Sequence, residues 1–139
     1  MKKMFLIMFA LICFGAMAKA QTASGYCSLP GGEDYVNVDY YKDGHLAVSV
    51  NTEKTVTNLH ITVTCTETWT EVERVYQDGS YVSKKTPQEK TYTLCNQTYY
   101  EDKLGSNRTN TITDGVKSNR EQSGHNYNYS VSVSNPKCR

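Results

Sequence analysis

Beyond residue 20 the chain contains no phenylalanine and no methionine, because all three Phe and all four Met lie in the first twenty residues. Leucine and isoleucine are scarce there too, with five Leu and two Ile. A core of Leu and Phe is therefore excluded. Aliphatic poverty of this kind is also a mark of disordered chains. Against disorder stand a net charge near zero, eleven Tyr and one Trp. Val, Thr and Tyr suit a pleated, half-buried surface. The composition thus points to an ordered all-β domain with a core of Val and Tyr.

Basic residues are also few. Twelve Lys and Arg face fourteen Asp and Glu after residue 20. Without a basic face to neutralise phosphates, nucleic acid is not expected as a partner. The chain also has no polybasic patch for a membrane surface. No hydrophobic run follows residue 20, so no membrane insertion is expected of the remainder.

The first twenty residues differ in kind. Lys2 and Lys3 precede an uncharged apolar run from Met4 to Ala18, and Ala18-Lys19-Ala20 has the small-x-small form of a processing site. The run is shorter than the roughly twenty residues that span a bilayer. Residues 1–20 are read as a secretory signal peptide of bacterial type, removed near Ala20–Gln21, which implies a secreted or periplasmic protein. Residues 21–34, which include Ser28-Leu29-Pro30-Gly31-Gly32, read as a turn-rich lead-in. A single domain is expected over 35–139.

No close cysteine pair of zinc-site form is present. Cys27, Cys65, Cys95 and Cys138 are 38, 30 and 43 residues apart. In a small exported domain an even count reads as two disulfides. Three connectivities are open, and the favoured one joins Cys65 to Cys95 and Cys27 to Cys138.

Nor is there a catalytic signature: no Gly-x-Ser-x-Gly, no His-Glu-x-x-His, no phosphate-cradling glycine loop and no calcium loop. No enzyme activity, metal or cofactor is expected. His45, His60 and His125 read as solvated, with His45 and His60 able to approach each other on neighbouring strands. Glu67, Glu71 and Glu73 share one strand face. Residues four apart on a strand are separated by about 13 Å, beyond the spacing of paired glycosidase carboxylates. They read as a solvated face.

What is present is alternation of period two. It marks strands at Val36–Tyr40, Leu46–Val50, Leu59–Cys65, Val72–Tyr76, Tyr81–Lys85, Thr91–Asn96 and Tyr127–Val133. No window has helical periodicity. Two Tyr-x-Asp-Gly tips occur, at Tyr41–Gly44 and Tyr76–Gly79. At the first, a three-residue loop aligns Tyr40 with Leu46, Val38 with Val48 and Val36 with Val50, whereas a two-residue loop mixes the faces. At the second, a two-residue Asp78-Gly79 turn pairs Tyr76 with Tyr81, Val75 with Val82 and Glu73 with Lys84. The two tips are one turn chemistry used in two geometries rather than a repeated ligand motif.

Seven short strands suggest a small disulfide-stapled antiparallel β-sandwich or small barrel. The pattern resembles small immunoglobulin-like exported modules, a likeness of fold that carries no function. The polar stretch 101–124 reads as a long solvated or binding loop, with a weak edge strand over Thr109–Thr113.

Trp69 poses the main question. A straight strand puts it on the Leu59–Cys65 side beside Glu67 and Glu71. Either a bulge near Thr66–Thr68 flips the faces, or the core ends at Cys65 and Trp69 sits at a rim. Trp69 then packs on a disulfide, or it joins Arg74, Tyr76 and Tyr81 as an interface anchor. On a regular strand Trp69 and Tyr76 point to opposite faces. The function expected is a non-catalytic interaction module binding a protein or glycan at the bacterial cell envelope or outside the cell. The alternative is a secreted inhibitor of an extracellular hydrolase.

Overall fold

The computed structural model describes residues 21–29, 33–53, 56–99 and 108–134, and the backbone of 137–138. The expected signal peptide, residues 100–107 and the side chain of Cys138 lie outside the described residues.

Antiparallel strands account for most of the described chain. They are β1 (Ala23–Ser28), β2 (Tyr35–Tyr41), β3 (His45–Asn51), β4 (Val56–Thr57), β5 (Leu59–Gln77), β6 (Ser80–Tyr99), β7 (Arg108–Ile112), β8 (Asn126–Ser134) and β9 (Lys137–Cys138). They form a four-stranded sheet ordered β1-β2-β3-β7, a three-stranded sheet ordered β6-β5-β8 and a small β4-β9 pair. Val36, Val38 and Tyr40 of β2, Leu46 and Val48 of β3, and Leu59, Ile61, Val63 and Cys65 of β5 are fully buried in one core. Each fully buried Val or Leu contributes roughly 1.5–3 kcal/mol of apolar burial. Tyr40 adds its ring and donates its hydroxyl to the Lys117 carbonyl at 3.0 Å, and burial pushes its phenol up to about 12.

Both hairpins turn as their side-chain alternation requires. β2 pairs with β3 as Tyr40↔Leu46, Val38↔Val48 and Val36↔Val50, around a loop in which Gly44 has φ +96°. The second hairpin pairs Tyr76↔Tyr81, Val75↔Val82 and Glu73↔Lys84. Asp78 and Gly79 take φ +51° and +82°, the two successive positive values of a type I′ turn.

Four expectations need correction. The lead-in contains β1, which pairs along β2 from Ala23↔Tyr40 to Ser28↔Tyr35. Its Ala, Ser and Gly hide the strand from a search for apolar alternation, yet the small residues have a packing reason. A Cβ on Gly25 would lie 2.7 Å from both Cγ1 and the carbonyl oxygen of Val131, so β1 can cross β8 this closely only through glycine.

The second correction concerns β5, which is one strand of 19 residues. No bulge lies near Thr66–Thr68. The irregularity is on β6, where Val63 faces Cys95 but Thr64 faces Thr93. Leu94 is the extra residue, and both it and Cys95 are buried, as a bulge allows.

The third is the disulfide pairing. Cys27, Cys65 and Cys95 carry free thiols. Cys65 lies opposite Tyr92, whereas Cys95 lies opposite Val63. That diagonal separates Cα atoms by about 7–8 Å, past the reach of an unstrained disulfide. Cys95 instead donates to the Ile61 carbonyl at 3.8 Å, and Cys65 accepts from Asn119 Nδ2 at 3.7 Å. Burial pushes both thiols up.

The fourth is the 101–124 stretch. Its described part is neither wholly loop nor free. The edge strand expected over Thr109–Thr113 is present as Arg108–Ile112, paired with β3 and with Ile112 buried, so the correction concerns the chain that follows it. From Thr113 the chain crosses the domain as a pinned strap. Lys117 N donates to the Leu94 carbonyl at 2.8 Å, and Asn119 N to the Lys42 carbonyl at 2.9 Å. Lys42 and Glu121 form an ion pair at 2.8 Å, and Tyr129 donates to the same Glu121 oxygen at 3.0 Å.

Candidate functional site

The site begins where coverage of β5 ends. β8 pairs with β5 from His60↔Ser134 to Thr68↔Asn126 and goes no further. Beyond that point, among the described residues, β5 and β6 pair only with each other, as a ribbon of Trp69–Gln77 against Ser80–Gln88. Nine residues of strand reach roughly 30 Å. An isolated two-stranded hairpin is marginal in water, so its base needs anchoring.

The anchor is built around Glu67, the last buried residue of β5, with 5% of its surface exposed. Tyr92 of β6 donates to Oε2 at 2.6 Å, Tyr127 of β8 donates to Oε1 at 3.0 Å, and His125 Nδ1 lies 2.7 Å from Oε1. The bond from Tyr92, followed by those from His125 and Tyr127, outweighs burial and holds the Glu67 carboxyl below its ordinary range. The same bond, ahead of burial, pushes Tyr92 up to about 12. Burial, with the Glu67 bond adding to it, raises Tyr127. Both phenols therefore remain donors at neutral pH rather than nucleophiles. Gln122 N donates to the Tyr127 hydroxyl at 2.7 Å, tying the strap to the same point.

Trp69 is the first ribbon residue. It stacks on His125 with ring centroids 5.1 Å apart and planes 11° from parallel. It packs on no disulfide, and it sits at the rim where the core ends.

Arg74, Tyr76 and Tyr81 lie on the opposite face of the ribbon from Trp69. Tyr76 and Tyr81 are 63% and 67% exposed and meet edge-to-face at 5.1 Å. The Arg74 guanidinium carbon stands 5.5 Å from the Tyr81 ring centroid. Val72, 58% exposed, is on that same face. The structure thus gathers three of the four expected anchors at the tip and uses the fourth at the base.

Glu67 and His125 correct the solvated reading given to both. His125 keeps 22% of its side-chain surface and Glu67 only 6%. Glu67 is in phase with Leu59, Ile61, Val63 and Cys65, and that phase was the available signal. Glu71 and Glu73 are exposed as expected, and Glu71 accepts from Gln88 at 3.1 Å. His45 and His60 sit in different sheets. His45 stacks on Tyr41, while His60 meets Thr98 and Asn96. Among the described residues no group of three or more His, Cys, Asp or Glu is placed to hold a metal ion.

No protein-family model, curated protein or solved structure matches the chain.

A shallow depression between Tyr35, Ser49, Val50, Asn51, Arg108 and Thr109 lies at the β3–β7 edge. It brings Arg108 together with neutral groups alone. The ribbon is the stronger site, because it combines projection, exposed aromatic rings and a cation on one face.

Proposed function

We propose that this protein is an exported, non-catalytic interaction module that binds a protein or glycan partner at the cell envelope or outside the cell. We read its two sheets as the layers of an immunoglobulin-like sandwich, from which the β5–β6 ribbon projects as the binding element. The observation that carries the reading is the exposed Arg74–Tyr76–Tyr81 group on one face of a ribbon that no other described strand covers. Tyr and Arg are the residue types on which interfaces concentrate their binding energy. Their exposure in the isolated chain has no packing rationale. The twenty-residue leader supports export.

A second reading has an observation of its own. A narrow ribbon with a tight type I′ tip has the shape to enter a cleft, as a secreted inhibitor of an extracellular hydrolase requires.

The test uses the oxidised and the reduced protein as bait for envelope and culture-supernatant fractions of the source organism, beside a variant carrying Arg74→Ala, Tyr76→Ala and Tyr81→Ala. Material retained by the wild type and lost from the variant is the expected result. Equal retention by both overturns the reading. A captured hydrolase that loses activity on addition of the protein selects the inhibitor.

A further inference from the structure

The ribbon has two long edges, and they are not alike. The outer edge of β6 carries Lys84, Lys85 and Pro87. Lysine and proline are the residues by which exposed strand edges avoid pairing with other chains. The outer edge of β5 from Thr70 to Gln77 carries neither. It reads Thr-Glu-Val-Glu-Arg-Val-Tyr-Gln, rich in the β-branched and aromatic residues that favour strands. This edge lies in line with β8, which stops at Asn126. Among the described residues no strand other than β6 pairs with it.

The register says which backbone groups are open. A two-residue turn makes Gln77 and Ser80 a hydrogen-bonded pair, so odd-numbered residues of the ribbon bond toward β6. The amides and carbonyls of Thr70, Val72, Arg74 and Tyr76 then point outward. The side chains of those four residues share the face that bears Tyr81 and Lys85. On that face Arg74 and Lys85 are cationic. The acidic residues of the β5 ribbon strand, Glu71 and Glu73, project from the other face, where Glu71 meets Gln88 and Glu73 lies opposite Lys84.

We propose that the β5 edge over Thr70–Gln77 is a receptor edge for an extended polypeptide segment. The segment would add as a strand in line with β8 and set a carboxylate side chain opposite Arg74, between apolar residues opposite Val72 and Tyr76. The proposal rests on the reading of the ribbon as the binding element. Backbone pairing supplies affinity in strand addition, and alternate side chains supply specificity. A polypeptide fits because only a peptide backbone satisfies the outward groups of four alternate residues at once. Its acidic character follows from the charge of the face.

The test uses a capped nonapeptide, Ser-Thr-Val-Thr-Glu-Thr-Val-Thr-Ser, and a second peptide with Lys in place of Glu. Amide hydrogen exchange of the full protein is followed by NMR. The Glu peptide should slow exchange at Thr70, Val72, Arg74 and Tyr76, and it should bind about tenfold tighter than the Lys peptide, the scale of one charge-assisted pair. Arg74→Glu should reverse the preference. Slow exchange at Val38 and Val48 checks that the variant is folded. Three results would overturn the proposal: no slowing with either peptide, equal binding of both, or protection confined to the β6 edge. Protection in the protein alone that grows with concentration would make a second copy the occupant and also overturn it. If the peptides fail while the tip variant still loses its captured partner, only the edge proposal falls. If the tip variant also keeps its partner, the ribbon reading falls with it.

Discussion

The indole of Trp69 lies nearly parallel to the imidazole of His125, and Glu67 holds that imidazole at 2.7 Å. The chain thus joins the first residue of the free ribbon to the last buried residue of β5 through a histidine 56 positions away. The stack packs the first ribbon residue against the turn that leads into β8. Trp69 is the only tryptophan, so its fluorescence reports on this contact alone. His125→Ala should change both intensity and emission wavelength without unfolding the protein. Trp69→Ala should lower stability by about 1–3 kcal/mol, less than a fully buried tryptophan costs, because the ring is half-buried. Denaturant titration of the two variants checks both statements. Unchanged fluorescence in the His125 variant would show that the stack does not persist in solution.

The Glu67 cluster gives a pH dependence with a definite sign. The folded state holds Glu67 below the ordinary carboxylate range, chiefly through the Tyr92 hydrogen bond. An acid whose folded pKa is depressed contributes stability that is fully present above its unfolded value. That stability is lost as pH falls through the depressed folded value. Thermal midpoints measured from pH 7 down to pH 2 should therefore fall more steeply in the wild type than in Glu67→Gln. The variant should also be less stable at pH 7. Parallel pH profiles would mean that the carboxylate is not held by these donors.

The hairpin registers were legible in the sequence because each rests on local alternation. Of a two-residue and a three-residue loop, only the three-residue one keeps Val36, Val38 and Tyr40 on one face with Leu46, Val48 and Val50. The opposition of Trp69 and Tyr76 followed from the same period of two. The Glu67 cluster was not legible in that way. Its members come from β5, β6, β8 and the turn before β8, and only the sheet order β6-β5-β8 brings them together. A carboxylate in phase with core residues is accommodated because Tyr127, opposite it on β8, and Tyr92, diagonal to it on β6, both donate to it. β1 escaped detection for a different reason. Its inward requirement is smallness at Gly25, not apolarity. Cysteine count and the expectation of export point to disulfides, but the pairing of Cys65 and Cys95 depends on register, which the extra residue at Leu94 sets.

Thiol accessibility tests that register directly. Cys65 and Cys95 are buried, and Cys27 on β1 is only partly covered. Alkylation of the native, reduced protein should label Cys27 first, while Cys65 and Cys95 react only after denaturant is added. Peptide mass mapping distinguishes the sites. A mass two hydrogens lower with Cys65 and Cys95 joined would contradict the diagonal placement of the two residues.

Two glycines with similar backbone angles should respond differently to one substitution. Gly44 and Gly79 both have positive φ, +96° and +82°, in the two Asp-Gly tips. A Cβ at Gly79 meets nothing within 4 Å, whereas one at Gly44 would lie 2.8 Å from Ser118 N in the strap. Gly79→Ala should therefore cost only the left-handed backbone penalty, about 1–2 kcal/mol. Gly44→Ala adds a clash with backbone pinned by the bond from Asn119 N to the Lys42 carbonyl, and should cost about 2–4 kcal/mol. It should also speed hydrogen exchange at Asn119, which Gly79→Ala should leave unchanged. Equal stability losses, with Asn119 unaffected in both, would mean that the strap does not lie against the first tip. The same Tyr-x-Asp-Gly sequence would then differ in its two settings only by loop length, and not by what packs on it.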